Sequence, residues 1–188
     1  LGAKHAGQVR ILNYSGSGIE TTFTEGEDAC LASLVPVMPT SAPDAAPQLL
    51  LVGSLPDIVE DQFLRLFAQL GIENVVVLPA RTADGLPAVG PNTRVLLAQP
   101  FLGETAQALE GRGAQRIDAP FPFGAEGTTA WLKAAAQAFG IDEMHANAVI
   151  APGRERAKRA LEHHREKLAG KRISFLPDSQ LEVPLARF

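Results

Sequence analysis

Short apolar runs alternate with amphipathic stretches along this chain, and the alternation limits its fold more than any other feature. The runs that are typical of strands are 9–14, 48–54, 74–80, 93–100 and 172–177, with a weaker, proline-containing candidate at 116–122. The stretches with helical spacing of apolar residues are 25–35, 57–71, 102–113, 128–140 and 153–170. Strands that alternate with helices pair in parallel through right-handed crossovers. The sequence therefore predicts an α/β fold built from parallel sheets.

The stretch 57–71 carries the clearest helix signals. Asp57 and Glu60 have the spacing of a capping box at its start, and Gly71 suits a left-handed C-terminal cap. Apolar residues recur on one face at helical spacing, namely Val59, Phe63, Leu66, Phe67 and Leu70. We expect Phe63 and Phe67 to lie in the core, together with Trp131 of the 128–140 helix.

Composition narrows the classes of function. The chain has 188 residues, of which 46% are apolar and 20% charged, and its net charge of −4 argues against a broad nucleic-acid surface. Cys30 is the one cysteine, so the chain can form neither an internal disulfide nor a thiolate metal site, which fits a reducing, cytoplasmic compartment. We expect Cys30 to be a small core residue. No run reaches the roughly 18 apolar residues that predict a membrane span.

The two ends and the proline-rich stretches suggest how the chain is divided. It begins without methionine just before a predicted strand and closes within a predicted short helix, so we expect an internal piece of a longer protein. The stretch 38–47 is rich in proline, alanine and serine, which is typical of a linker. A second boundary is predicted near Lys171.

The stretch NYSGSGIETTFTEGED, residues 13–28, places glycines and hydroxyl side chains directly after a predicted strand. Thr24 and Glu27 have capping-box spacing, so one interpretation is a tight turn followed by a capped helix. A phosphate cradle is the alternative, since helix N-termini attract anions. The cradle is disfavoured because no dinucleotide fingerprint is present, no lysine follows the glycines, and acidic residues surround them.

A second loop, FPFGAEGTTAWLK at 121–133, carries two phenylalanines beside glycines. Phe121, Phe123, Gly124 and Gly127 would line a pocket for a flat, apolar ligand. In the alternative, which the residues alone favour, both phenylalanines pack into the core. Thr128 is expected to cap the helix that follows.

Histidines and basic residues are concentrated in the 153–170 helix. His163 and His164 are adjacent, so their side chains point about 100° apart and cannot hold one metal from one face. The basic run from Arg154 to Arg172 also contains glutamates. It is expected to be a solvated face, with a partner interface as the alternative.

Several segments together resemble one protein family. They are NYSGSGIETTFTEGEDACLASLVPV, LLLVGSLPDIVEDQ, GPNTRVLLAQPFLGETAQALEGRGA, APFPFGAEGTTAWLKA and KRISFLPDSQLEVPLARF, which cover nearly the whole chain in order. In this combination the chain is similar to the N subunits of the light-independent, ATP-dependent protochlorophyllide reductases of purple photosynthetic bacteria, within the nitrogenase component-1 superfamily.

The resemblance implies a subunit of three Rossmann-like, three-layer domains with parallel sheets. This chain would supply the end of the first domain (1–37), a linker (38–47), the second domain (48–170) and the start of the third (171–188). The implied activity is part of an oxidoreductase that reduces the C17–C18 double bond of ring D of protochlorophyllide to give chlorophyllide, in chlorophyll and bacteriochlorophyll biosynthesis.

The same resemblance implies cofactors and partners. A 4Fe–4S cluster would lie between the N subunit and a B subunit in a heterotetramer of two N and two B chains, with its N-subunit ligands upstream of this segment, and Cys30 matches none of them. Electrons would come from a homodimeric iron–sulfur L protein that uses ATP. No catalytic or metal-binding residue is carried over. The opening stretch would form the wall of the pigment cavity, through Tyr14, Ser15, Gly16, Ser17, Gly18, Phe23 and Thr24.

Two other classes of function are compatible with the residues. A two-lobed α/β ligand-binding module of the periplasmic type would have a secretion signal upstream of this segment, whereas the redox enzyme would have three cysteines there. The other class is a nucleotide-dependent α/β enzyme such as a glycosyltransferase, for which protection of the isolated domain by a bound nucleotide would be the supporting observation.

Overall fold

The computed structural model describes residues 23–81, 85–176 and 180–187. Within them a parallel sheet has the strand order β2–β1–β3–β4. Its strands are β1 Gln48–Val52, β2 Val75–Leu78, β3 Thr93–Leu97 and β4 Gln115–Arg116. The helices are α1 Phe23–Leu34, α2 Asp57–Leu70, α3 Gly103–Gly111, α4 Gly124–Ala138, α5 Glu143–Leu168 and α6 Glu182–Arg187, with a 3-10 turn at Val35–Val37. The predicted α/β class with a parallel sheet is confirmed.

The central strand β1 shows why helices cover both faces of the sheet. Leu49 and Leu51 point to one face, Leu50 and Val52 point to the other, and all four side chains are fully buried. A strand without an alternating polar face cannot leave either side in water. The result is a three-layer arrangement of helix, sheet and helix.

One face of the sheet is covered by α2, α4 and α5. Trp131 is fully buried there, and its ring centre lies 4.7 Å from that of Phe63 and 5.4 Å from that of Phe67. The indole N–H donates to the carbonyl oxygen of Leu97, 2.8 Å away, so its polar atom is satisfied in the core. The prediction that these three aromatic residues lie in the core is confirmed.

The other face is covered by α1, the 3-10 turn and α3. Leu31 and Val35 pack there with Leu102 and Leu109 against the strands. Helix α1 therefore packs on the sheet formed by the 48–170 segment. The division of the chain into domains stays a prediction.

The predicted caps are wrong at three helices. Thr24 already lies inside α1, which begins at Phe23, and Glu27 accepts a hydrogen bond from the backbone N–H of Ser54 instead of closing a capping box. The N-cap of α2 is Pro56, and Asp57 is already helical, because Glu60 pairs with Arg81 instead of reaching back to the helix start. Helix α4 begins at Gly124, so Thr128 lies in its interior. Gly71 does end α2 in the left-handed conformation, with φ of 87°.

The last long helix begins earlier than predicted. Helix α5 runs through Pro152 to a start at Glu143, where the carboxylate of Asp142 accepts a hydrogen bond from the backbone N–H of His145. The Asp142 cap therefore starts the helix ten residues before the predicted start at 153. Helix α1 begins at Phe23, two residues before the predicted start at 25.

Two predicted strands differ from the structure. The segment 171–176 forms no strand, and Ile173, Phe175 and Leu176 are exposed, because no neighbouring strand pairs with it among the described residues. The candidate at 116–122 is reduced to the two residues of β4, before prolines that cannot donate to a ladder. The predicted strand 9–14 lies outside the described residues.

Candidate functional site

The carboxyl ends of the strands meet at one edge of the sheet, where ligands bind in parallel α/β proteins. The loops that leave this edge are 53–56, 79–81, 98–102 and 117–123. Helix α1 also begins there, since a carboxylate oxygen of Glu27 accepts a hydrogen bond from the backbone N–H of Ser54 at 3.1 Å. The start of α1 and the loops after β1 and β3 therefore form one edge.

A cleft of about 1200 Å³ opens at this edge, beside the ends of β3 and β4. Its apolar lining comes from the loops after these strands and from the facing helices: Pro100, Ala119, Pro120, Phe121, Phe123, Ala125, Ala130, Leu161, Val183 and Pro184. A cleft of this size and lining suits a large, mainly apolar small molecule.

The aromatic wall of the cleft depends on two glycines. The backbone N–H of Phe123 donates to the carbonyl oxygen of Phe121 at 2.8 Å, and Gly124 continues the turn with φ of 66°. A Cβ atom on Gly127 would lie 2.6 Å from that same carbonyl oxygen, too close for any other residue. The loop can therefore fold onto the start of α4 only because this position is glycine.

The structure brings together all four residues of the predicted pocket loop, Phe121, Phe123, Gly124 and Gly127. Both phenylalanines are half-buried at the cleft and belong to neither apolar core cluster. The alternative that they pack into the core is therefore wrong for these two residues, although Trp131 does pack there. What binds in the cleft stays a proposal.

The charges of the cleft are unevenly placed. Lys158 and Arg165 lie on α5 and Arg187 lies on α6, while the acidic lining residues are Asp118, after β4, and Glu126, in the first turn of α4. Cations therefore line the side of the cleft formed by the two C-terminal helices.

Most of the opening stretch proposed as cavity wall lies outside the described residues. This holds for Tyr14, Ser15, Gly16, Ser17 and Gly18. Of the remaining two, Phe23 is 87% exposed and Thr24 is partly buried, both in the first turn of α1. Neither lines the cleft. The role of these seven residues as cavity wall stays a prediction. The start of α1 does lie at the same edge of the sheet as the cleft.

Asp28 is a residue that the sequence pattern did not single out. Its buried carboxylate accepts hydrogen bonds from the backbone N–H groups of Glu104 and Thr105, each at 2.8 Å, and from the Thr105 hydroxyl at 2.6 Å. The N-cap residue of α3, Leu102, has no capping side chain. Asp28 therefore caps α3 from another helix and fixes α1 to it.

Arg81 organises the loop after β2 in a similar way. Its guanidinium lies 2.8 Å from a carboxylate oxygen of the buried Glu60 and 2.8 Å from one of Asp61, and it donates to the backbone oxygen of Asp57. Desolvation lowers the pKa of Arg81, but hydrogen bonds and attraction to Glu60 and Asp61 outweigh it and raise the pKa above its ordinary value. Arg81 therefore stays charged and holds the start of α2 at the carboxyl edge.

The residues of this chain do not fit an iron–sulfur cluster. A 4Fe–4S cluster is held mainly by cysteine thiolates, and the whole sequence contains only Cys30, which is half-buried on α1 rather than in the core as predicted. Within the described ranges no three His, Cys, Asp or Glu side chains are grouped so that they could hold a metal ion. His163 and His164 are exposed, as predicted for a solvated helix.

Among the helices that the structure describes, none is both long and apolar enough to cross a bilayer.

Comparison with known proteins gives a consistent result. The family model described as nitrogenase component 1 type oxidoreductase matches residues 2–188. Proteins named light-independent protochlorophyllide reductase subunit N are similar over nearly the whole chain. They include those of Rhodospirillum rubrum (64% identical over 100% of this chain and 43% of the relative), Bradyrhizobium sp. strain ORS 278 (64% over 96% and 42%) and Rhodopseudomonas palustris strain BisA53 (61% over 100% and 44%). The chain thus spans less than half the length of these relatives, and the predicted resemblance is confirmed.

Proposed function

Because this chain belongs to the nitrogenase component 1 type oxidoreductase family, we propose that it is the central part of a subunit N of a light-independent protochlorophyllide reductase. The observation that carries the proposal is the identity of 64% over all 188 residues to the subunit of that name from Rhodospirillum rubrum. Identity of 64% over the whole of this chain is expected between proteins with one shared activity.

The proposed reaction is reduction of the C17–C18 double bond of ring D of protochlorophyllide to give chlorophyllide. The full-length subunit would act in the cytoplasm with a B subunit, two copies of each, and receive electrons from an L protein that uses ATP. A 4Fe–4S cluster would relay the electrons, with ligands outside this segment, since Cys30 is the only cysteine here. This segment would therefore contribute to pigment binding and assembly.

The carboxyl edge of the sheet is the proposed place of the pigment. The cleft there has aromatic side chains on one wall and room for a large flat molecule. The stretch from Ser15 to Phe23 would add small residues to the same edge. Ser17→Phe in the full-length complex should then weaken pigment binding while the cluster spectrum and the melting temperature are retained. Unchanged pigment affinity in the folded variant would remove this stretch from the site.

Reconstitution tests the proposed function itself. The full-length protein, combined with a B subunit, the ATP-dependent L protein, ATP and a reductant, should convert protochlorophyllide to chlorophyllide in the dark, as followed by absorbance and mass spectrometry. Omission of ATP is the control and should abolish turnover. A correctly assembled complex that leaves the pigment unreduced would contradict the proposal.

A further inference from the structure

The cleft at the carboxyl edge combines an apolar wall with a row of cations. Lys158, Leu161 and Arg165 are spaced three and four residues apart on α5, so they lie on one face of the helix, and this face borders the cleft. Arg187 reaches the same cleft from α6. Three basic side chains on the two C-terminal helices therefore line the same cleft as Phe121 and Phe123.

These cations are not neutralised within the described part of the chain. Among the described residues, the side chains of Arg165 and Arg187 form neither an ion pair nor a hydrogen bond. The Lys158 amine is 3.8 Å from a carboxylate oxygen of Glu155, a surface contact of little strength. The acidic lining residues Asp118 and Glu126 are beyond ion-pair distance of all three. The cleft thus offers unpaired positive charge beside a largely apolar surface.

A ligand that matches this surface is flat, mainly apolar and carries an anionic group at one edge. Aromatic walls favour the flat part of such a ligand, and guanidinium groups favour a carboxylate because they donate two parallel hydrogen bonds. We propose that Lys158, Arg165 and Arg187 receive the carboxylate of the ligand while its flat face packs against Phe121 and Phe123. The inference rests on the proposed function, in which the ligand is protochlorophyllide, a flat macrocycle with one free carboxylic acid.

The consequence is selectivity for the free acid over an ester. Esterification removes the negative charge but leaves the macrocycle unchanged, so the aromatic wall still binds it while the cations lose their partner. Each arginine contributes a partly solvated charge-assisted contact, for which a three- to tenfold effect, about 1 kcal/mol, is ordinary. Since the effects of the two arginines multiply, the full-length complex should bind the acid roughly ten- to a hundredfold more tightly than its methyl ester.

The test is a titration of the full-length N–B complex with protochlorophyllide and with its methyl ester, followed by fluorescence. Arg165→Gln and Arg187→Gln should each weaken binding of the acid three- to tenfold and leave binding of the ester unchanged. Glutamine has a helix propensity close to that of arginine, so the helices persist. Arg165→Lys should retain most of the preference. Arg159→Gln is the matched control, since Arg159 is on α5 but does not line the cleft.

Several outcomes would overturn the inference. Equal affinity of the unaltered complex for acid and ester would do so, as would variants that bind both ligands like the Arg159→Gln control. A variant that loses acid and ester to the same extent, or that melts earlier without a change in preference, would show that the altered cation does not receive the carboxylate. A complex that reduces the pigment but shows no acid preference refutes this inference alone, whereas a complex that binds neither ligand refutes the proposed function as well.

Discussion

Removal of the Asp28 carboxylate should loosen α3 from the rest of the fold. The carboxylate accepts three hydrogen bonds, two from backbone N–H groups at 2.8 Å and one from the Thr105 hydroxyl at 2.6 Å. In Asp28→Ala the two backbone N–H groups lose their acceptor, and that of Thr105 is buried away from water, whereas the Thr105 hydroxyl keeps the backbone oxygen of Asp28 at 3.0 Å as an acceptor. Loss of a helix cap costs about 0.5–2 kcal/mol, and each buried unsatisfied donor about 1–3 kcal/mol. Because water can replace the lost acceptor at the exposed Glu104 but not at Thr105, we expect the stability of α3 to fall by about 3 kcal/mol in total.

Hydrogen exchange measures this loss where it occurs. Because 1.4 kcal/mol is a factor of ten, a loss of about 3 kcal/mol should speed exchange of the protected α3 amides by roughly a hundredfold. Asp28→Asn keeps one acceptor oxygen and should show about half of the free-energy effect. Asp44→Ala, the same truncation at an exposed position of the 38–47 segment, is the control and should change little.

Two patterns of exchange would contradict a local cap at α3. If Asp28→Ala leaves α3 exchange at the rate of the Asp44→Ala control in the full-length protein, then Asp28 does not cap α3. Faster exchange spread evenly over all helices would show global destabilisation without a local role for the cap.

Other predictions concern the core, the aromatic loop and metal content. Phe67→Ala should lower the free energy of unfolding by about 3–5 kcal/mol in chemical denaturation, because Phe67 is fully buried. Phe23→Ala, at a position that is 87% exposed, is the control and should lower it by less than about 0.5 kcal/mol. Similar losses in both variants would show that Phe67 does not lie on the buried face of α2. Gly127→Ala should lower the free energy of unfolding by about 1–3 kcal/mol and weaken ligand binding in the cleft, because its Cβ would lie 2.6 Å from a backbone oxygen. Gly111→Ala is the control: its Cβ would lie in open space, so the change should be neutral or slightly stabilising. Equal melting temperatures of the two variants would contradict the geometry of the 121–127 loop. The 188-residue chain, with Cys30 as its only cysteine, should purify without iron, and an iron–sulfur absorbance band at one cluster per chain would disprove this.

The parts of the fold that follow from local periodicity could be predicted. The near-continuous apolar run of β1 predicts a strand covered on both sides, and the helical spacing of Phe63 and Phe67 predicts the buried face of α2. The glycines at 124 and 127 likewise indicate a tight turn, because a positive φ and a close backbone contact both require glycine. That this turn belongs to a ligand pocket stays a prediction.

The parts that depend on distant residues could not be predicted. Asp28 and Thr105 are separated by 77 residues, and nothing near Asp28 in the sequence distinguishes a remote cap from an ordinary helix acid. Glu60 has the spacing of a capping box, yet Arg81 attracts it more strongly. The apolar run at 172–177 predicted a strand, but strand formation also requires a neighbouring strand, which periodicity does not reveal.

A segment exchange would show whether this chain is part of a protochlorophyllide-reducing subunit. The homologous 188 residues of the Rhodospirillum rubrum subunit N, 64% identical, can be replaced by this chain, so that the remaining segments of the relative are kept. The chimaeric subunit should assemble with its B subunit and form chlorophyllide from protochlorophyllide in the dark, within about tenfold of the parent rate. A chimaera that assembles and retains its iron–sulfur spectrum but forms no chlorophyllide would contradict the proposed function.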